Sequence, residues 1–411
     1  MLSAGVGSRT AGVVSPALAA VGVLAAVAAF VYVHEVVKLA LADRAVDFAT
    51  YYTYTLALAR RLNPFDPAAL APLQRTLGVA HADSPPTFTP AGYLVLLPFT
   101  ALPFGAARLA WIVVNQACVA AALLAWRRTL RPSAVLGVAG LGIALTYQPL
   151  FENVAVGQLS LVILLLLAVG IGAQVQGRVL PAALALSLAV QLKPHYLLLV
   201  PFIAWIGAPL AALATLLAVA AWLVVSAAVF GVGWLGAWWE TARALAASPW
   251  LHVWPRNLSP HATLHRVLAD SGPRVLTDAL AIALAVAVGI GVAWVTRGAA
   301  TRGRDGKLAA WAVALCALPL VSPLTEEHHL AILLLPLLFA VARLAQASAA
   351  DIVWVAVAAV LLGGRYSVES FPSLATGPGA LAYGAKAAGA AVLGLHATRL
   401  LRRAGTQQAA A

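Results

Sequence analysis

The chain has 411 residues, 62% hydrophobic and 10% charged, with a mean hydropathy of +0.91. A soluble domain carries about a quarter charged residues, so a soluble fold is excluded. The net charge of +12 would point to nucleic acid in a soluble protein. Here the basic residues gather in short turns between apolar runs, which is the positive-inside pattern, and no nucleic-acid partner is expected.

Apolar runs of roughly 17–25 residues, long enough to cross a bilayer as helices, recur from end to end. Only helices and closed barrels satisfy their backbone in lipid, and runs this long exclude a barrel. The fold class is therefore all-α, a polytopic transmembrane helical bundle of about 10–12 spans. Residues 1–403 read as a single integral-membrane domain and 404–411 as a short polar tail.

The first apolar run, 11–33 after Arg9, is too long for a signal-peptide core and reads as a retained span. Further spans are read at 104–126, 134–150, 154–173, 179–192, 194–206, 208–232, 278–296, 308–323, 328–342, 350–363 and 379–399. Basic turns at 127–131, 297–307 and 399–403, with Arg9 and Arg343, belong on the cytoplasmic side. Alternation then puts 34–90, 151–153, 233–277 and 363–378 outside, with the turns at Lys193 and 324–327 on that same side. The run 89–103 is short and holds three prolines, so it reads as re-entrant or packed against the bundle. Abundant Ala and Gly with a single Met fit a GC-rich bacterial genome and hence a plasma (inner) membrane location.

In so apolar a chain, each polar group outside the basic turns needs a reason. The first outer interval opens with VDFATYYTYTLALARRLNPFDP, in which Asp47, Tyr51, Tyr54 and Leu58 keep a helical rhythm and share one face. Pro64 and Pro67 then end the helix in a turn. Two readings of Asp47 stand together: the N-cap of a helix lying on the membrane, or a carboxylate held for chemistry. Lys193, before Pro194, sits between two apolar stretches, where an ammonium needs water, a counter-ion or an anionic ligand; snorkelling to the interface is its structural alternative. The run Ser322-Pro323-Leu324-Thr325-Glu326-Glu327-His328-His329 opens directly into a span. Its two histidines point about 100° apart on a helix and make a poor chelate alone, so hydrogen bonding to a polar ligand is favoured over metal, and the two acids suit a helix start. Glu152, Asn153, Gln158 and Ser160 bracket another outer turn. The second large outer interval, 233–277, combines interfacial tryptophans with Arg256, Asn257, Ser259, His261 and His265. Cys118 and Cys316 each lie within an apolar span and read as small buried residues. No GxxxxGK[ST], GxSxG, HExxH or Asp-x-Asp motif occurs, which removes support for nucleotide-driven transport and the usual hydrolase designs.

Taken in order, these islands resemble the membrane glycosyltransferases of the GT-C class, and among them glycosyltransferase family 87, the polyprenol-phosphate-mannose-dependent α-mannosyltransferases. The matching stretches are Asp47-Phe48 with Tyr51, Tyr52, Asn63, Pro64 and Asp66; the proline-rich SPPTFTPAGYLVLLPF; Gly157-Gln158; Lys193-Pro194; Asn257 with Ser259; and Ser322-Pro323 with His328 and His329. The resemblance implies an inverting transferase using a polyprenyl-phosphate sugar donor and a glycolipid or lipid-anchored glycan acceptor at the outer face. It implies Asp47 as general base, and Lys193, His328 and His329 as contacts to the donor phosphate, with Gln158 and Asn257 beside the sugar or phosphate. Tyr51, Tyr52, Glu152, Asn153 and Arg256 are weaker candidates; no cofactor or metal is expected, although a divalent ion stays compatible. Arabinofuranosyl transfer is the alternative within the class. A lipid or solute transporter is the alternative outside it, and would more often carry paired half-repeats with polar groups near the midplane. A catalytically silent scaffold is the third.

Overall fold

A computed structural model of the chain describes residues 15–42, 45–78, 88–268, 274–366 and 371–410. Arg9 and Ser84-Pro85-Pro86 lie outside the described residues. Within them every regular element is helical and there is no strand, as the hydropathy pattern predicts.

Most apolar runs become helices close to where they were read, but 151–153, read as an outer turn, lies inside the helix Gln148–Val156, and the turn falls at 157–159 instead; local chemistry sets the ends. Ser15 accepts from the Leu18 amide at 3.2 Å and Pro16 occupies the first turn, so Pro16–Leu41 starts there. Among the described residues five helices are long and apolar enough to cross a membrane: Pro16–Leu41, Phe104–Leu130, Pro209–Phe230, Arg274–Thr301 and Glu327–Gln346. The pair Ala134–Leu145 and Gln148–Val156, bent by 41°, makes a sixth if taken as one span. The remaining apolar helices, among them Ser160–Val175, Val179–Leu192 and Ala349–Gly363, have 10–17 residues. At 1.5 Å per residue these reach about 15–26 Å, less than the roughly 30 Å hydrocarbon core. Length alone thus supports fewer complete crossings than the hydropathy runs suggest.

Burial explains why short helices suffice. Leu161, Ile163, Leu164, Leu167, Ala168 and Ile171 of Ser160–Val175 have no exposure, so this helix is walled by protein rather than lipid. Its buried Gln174 is matched by the Trp311 indole at 2.9 Å. By contrast Phe30, Leu217 and Ile290, on three of the long helices, face outward, as lipid-facing side chains must.

The bundle has two chemically distinct ends. At one, Arg304 reaches the Thr129 carbonyl, Arg343 pairs with Asp305 at 2.5 Å, and Arg403 pairs with Asp351 at 2.7 Å. The basic turns of the sequence therefore meet in one place. Phe104–Leu130 and Gly303–Val321 both run from or to that end, about 40 Å and 28 Å long by helical rise. Their far ends lie at Phe104 and Ser322, beside the sequence's polar islands.

At that far end the helix Val46–Ala59 sits deeper than a surface-lying helix would: every residue from Phe48 to Leu58 is buried. Phe48 stacks on Trp111 with centroids 5.6 Å apart, and Tyr51 meets Phe88 edge-on at 5.0 Å. The hydroxyls of Thr50, Thr53 and Thr55 donate to carbonyls four residues back, so burial leaves no unsatisfied polar group. The following helix, Pro67–Leu77, keeps the interfacial character, burying Leu70 and Leu73 and exposing Arg75. The 89–103 run forms short broken turns, Pro90–Gly92, Tyr93–Leu96 and Leu97–Ala101, too short to span. Its start is tied to the bundle by the Thr89 amide on the Gln191 carbonyl at 3.0 Å.

Candidate active site

Asp47 stands in the first turn of its helix, but it is not the N-cap. Ala45 holds that position without a side-chain cap bond. The capping aspartate of this loop is instead Asp66, which accepts from the Ala68 amide at 2.9 Å. Asp47 is directed elsewhere: Gln158 Nε2 donates to its Oδ2 at 3.0 Å.

The turn that presents Gln158 is built for this approach. Gly157 has φ +77°, and a Cβ there would come within 2.6 Å of Phe48 Cβ. Only glycine lets the two helices close at this point. Trp111 Nε1 donates to the Gly157 carbonyl at 2.9 Å, and Asn153 Nδ2 donates to the Gln158 carbonyl at 3.1 Å while its Oδ1 accepts from the Ser160 amide. Asn153 is therefore fully engaged in holding the turn. Tyr52 is likewise engaged, its hydroxyl donating to the Leu102 carbonyl at 2.7 Å.

Lys193 reaches the same place because of Pro194. A residue before proline is driven out of the helical region, and Lys193 is extended, with φ −145° and ψ 103°, ending Val179–Leu192. Its side chain is buried, at 6% exposure, and among the described residues no hydrogen bond or ion pair holds its ammonium. Asp47 and Glu326 both act on it electrostatically. The bridge Lys193-Pro194-His195 continues into the site, with the His195 ring 6.4 Å from that of His329.

The third wall is the loop before Glu327–Gln346. Glu326 donates its amide to His329 Nδ1 at 3.1 Å, so that nitrogen is the bare one and Nε2 of His329 carries the proton. The rings of His328 and His329 meet edge to face, at 86° to each other with centroids 4.3 Å apart. His328 is buried and its Nε2 has no hydrogen-bond partner among the described residues. Glu326, His328 and His329 offer ligand atoms within 4.8 Å of one another.

The two adjacent acids have separate fates. Glu327 pairs with the fully buried Lys386 at 2.6 Å, whose ammonium also donates to the carbonyls of Leu362 and Gly364. This is a buried ion pair with its remaining donors satisfied. Glu326 instead lies in the field of Asp47, Lys193, Arg256 and Glu152. Sequence reasoning assigned it no site role; its position between the proline-rich turn and the histidines was the available signal.

Asn257 sits behind this wall. Its Nδ2 donates to the carbonyls of Leu251 and Pro323, both at 2.8 Å, and its Oδ1 accepts from the amides of Ser259 and Thr325. The side chain is spent on clamping the two loops, which places Arg256 beside the site. Tyr51 is buried there too, within the field of Asp47 and Glu326.

Burial raises the Asp47 carboxyl to about 6, against the lowering pull of Gln158, Lys193 and Arg256. Burial, with Asp47 beside it, raises Glu326 to about 8. Burial lowers Lys193 to about 8, opposed by the two carboxylates. Near neutral pH this leaves Asp47 ionised, Glu326 protonated and Lys193 cationic. Two carboxyls whose environments push their pKa values apart are a recurring mark of acid–base sites.

The structure thus gathers Asp47, Gln158, Lys193, His328, His329, Tyr51 and Arg256 at one end of the bundle, drawn from five separate stretches. Comparison with curated proteins and with solved structures returns no match. The model of glycosyltransferase family 87 matches residues 87–323, a segment containing Gln158, Lys193 and Asn257 but ending before His328 and beginning after Asp47. That match spans more than half of the 411 residues, and the chain belongs to glycosyltransferase family 87.

Proposed function

We propose that this transferase moves mannose from a polyprenyl phosphate to a hydroxyl of a glycolipid or lipid-anchored glycan, with inversion, at the outer face of a bacterial plasma membrane. The observation that carries this reading is that Asp47, held by Gln158, lies within the field of the buried and unbonded ammonium of Lys193. An ammonium in such a place fits an anionic group better than a neutral one. A lipid phosphate brings that anion and an apolar tail suited to an apolar bundle.

In the proposed reaction Asp47 takes the proton from the acceptor hydroxyl as that oxygen bonds to the anomeric carbon. The bond from that carbon to the phosphate oxygen breaks, its electron pair leaves with the polyprenyl phosphate, and inversion follows. Lys193 and Arg256 stabilise the departing phosphate, and the partnerless His328 Nε2 supplies another contact; His329, bonded to the Glu326 amide and the Leu324 carbonyl, acts by position. Gln158 keeps the Asp47 carboxylate aimed. Asn257 and Asn153 act by position, and no step calls on a metal.

The outward orientation rests on the charge rule. The basic turns meet at the end of the bundle remote from Asp47, and such turns face the cytoplasm. The same grouping at one end, rather than at the midplane, disfavours a transporter. A pentose donor, arabinofuranosyl phosphate, would meet the same groups. The purified protein in nanodiscs, given radiolabelled polyprenyl-phosphate mannose or arabinofuranose with a membrane-lipid acceptor extract, is expected to transfer mannose. Transfer of arabinose alone would reassign the sugar, and transfer from neither donor would refute the reading.

A further inference from the structure

We propose that His261, His265 and Asp278 form a binding site for one divalent transition-metal ion, which fastens the second outer loop to the membrane helix after it. His261 and His265 are four residues apart on Pro260–Val267 and so share a face. Asp278 comes from the second turn of Arg274–Thr296. Nε2 of His261 lies 2.9 Å, and Nε2 of His265 2.8 Å, from the same Asp278 oxygen, and the two nitrogens are 3.1 Å apart.

Read as hydrogen bonds, this triangle is crowded, with two ring nitrogens 3.1 Å apart sharing one carboxylate oxygen. If both Nε2 atoms carry protons towards the carboxylate, two N–H groups confront each other across the third side. If one is bare, its lone pair faces the carboxylate oxygen at under 3 Å. A cation over the triangle resolves the conflict, because all three atoms then present lone pairs to it. With bonds of about 2.0–2.1 Å, a triangle of these edges subtends angles near 90° at the ion by simple geometry. That is one face of an octahedron, the two-histidine, one-carboxylate arrangement that leaves further positions open. His265 is 7% exposed, while Asp278 is 47% exposed, so the site is anchored inside and open to entering ions.

The clasp bears on the reaction centre only through position. Ser259 caps the histidine helix through the Ala262 amide, and its hydroxyl also donates to the Pro323 carbonyl at 3.0 Å. The Leu258 amide donates to the Thr325 carbonyl. Fixing Pro260–Val267 to Arg274–Thr296 therefore fixes the loop that carries Arg256 and braces Glu326. The geometry stands independently of which sugar is transferred.

The test uses the full chain with a non-histidine affinity tag, purified in detergent, loaded with Zn²⁺ or Co²⁺ and desalted. Metal analysis is expected to find about one equivalent in the wild type, and Co²⁺ to give a visible ligand-field band. His265→Gln and the double variant His261→Asn/His265→Gln should lose metal affinity by at least tenfold, whereas His328→Gln should retain it. EDTA should lower the thermal midpoint of the wild type and leave the two clasp variants unmoved. Negligible Zn²⁺ and Co²⁺ uptake by the wild type, equal uptake by the clasp variants, or loss in His328→Gln alone would overturn the proposal. A destabilised His265→Gln with no metal in the wild type would show a hydrogen-bonded tether only.

Discussion

Replacing Asp47 with Asn separates a base from a structural carboxylate, because the two roles predict opposite signs for stability. Asp47 titrates near 6 instead of 3.8 because folding buries it. About 2 pK units at 1.36 kcal/mol each is about 3 kcal/mol of strain carried by the ionised form. Partial solvent contact of the side chain trims this, and about 2 kcal/mol is the size to look for. The raised value means that the fold favours the protonated form: stability is full below the unfolded value and falls as pH rises through 6. Asparagine removes the charge while its amide oxygen can still accept from Gln158. Asp47→Asn should therefore be more stable than wild type at pH 7.5, with the gap closing as pH falls from 6 towards 4. Transfer should drop by about 10²–10⁴-fold, the worth of a positioned base. Thermal unfolding across pH and a radiolabelled transfer assay read both quantities. Turnover within tenfold of wild type, or a variant less stable at every pH, would refute the assignment.

The pH profile of kcat/KM should be bell-shaped, rising through about 6 as Asp47 ionises and falling above about 8 as Lys193 loses its proton and Glu326 gains charge; a flat profile from pH 5 to 9 would contradict this. Lys193→Met keeps the length of the side chain without its charge, so the protein should fold as well as wild type or better, since the cost of burying an ammonium is gone. Its transfer should fall at least about a hundredfold, with unchanged donor kinetics counting against a phosphate contact. Gly157→Ala combines a φ of +77° with a Cβ 2.6 Å from Phe48, and should cost about 1–3 kcal/mol. It should also lower transfer at least tenfold by moving Asp47, and wild-type activity in this variant would show that the Asp47–Gln158 geometry does not matter.

The helices were legible in the sequence because apolar length is a local property, and so was the segregation of basic turns to one end. Whether a helix faces lipid or protein is not local. Ser160–Val175 and Phe104–Leu130 both read as spans, yet the first is sheathed by its neighbours and the second reaches the bundle surface at Val113 and Leu124. Helix Val46–Ala59 looked amphipathic by spacing, but Phe48 finds Trp111 and Phe104 from another part of the chain, and this draws it inward. The same limit applies to the site. Asp47 and Lys193 stood out because charge is rare here. Glu326 and Glu327 are chemically identical neighbours, and only the distant Lys386 decides which one is withdrawn into an ion pair. Asn257 stood out as a polar residue in an apolar chain, but its partners, the Pro323 carbonyl and the Thr325 amide, emerge only in three dimensions.

Burying a catalytic carboxylate among apolar helices is costly when a reaction creates charge, and less so when it moves charge. In the proposed transfer Asp47 begins ionised and ends protonated, while the phosphate leaves with one more negative charge than it had as a diester. The charge travels from the Asp47 oxygen to the phosphate, and its sum within the site is unchanged. Lys193 and Arg256 act on Asp47 before the reaction and on the phosphate after it, so no new counter-ion is needed. Glu326, kept protonated beside them, adds no opposing charge while the phosphate departs. A site arranged in this way loses its balance if Glu326 is ionised, which is why the upper limb of the pH profile should steepen beyond the titration of Lys193 alone. Glu326→Gln should restore the single-proton slope, whereas an unchanged steep limb in that variant would place the second proton elsewhere.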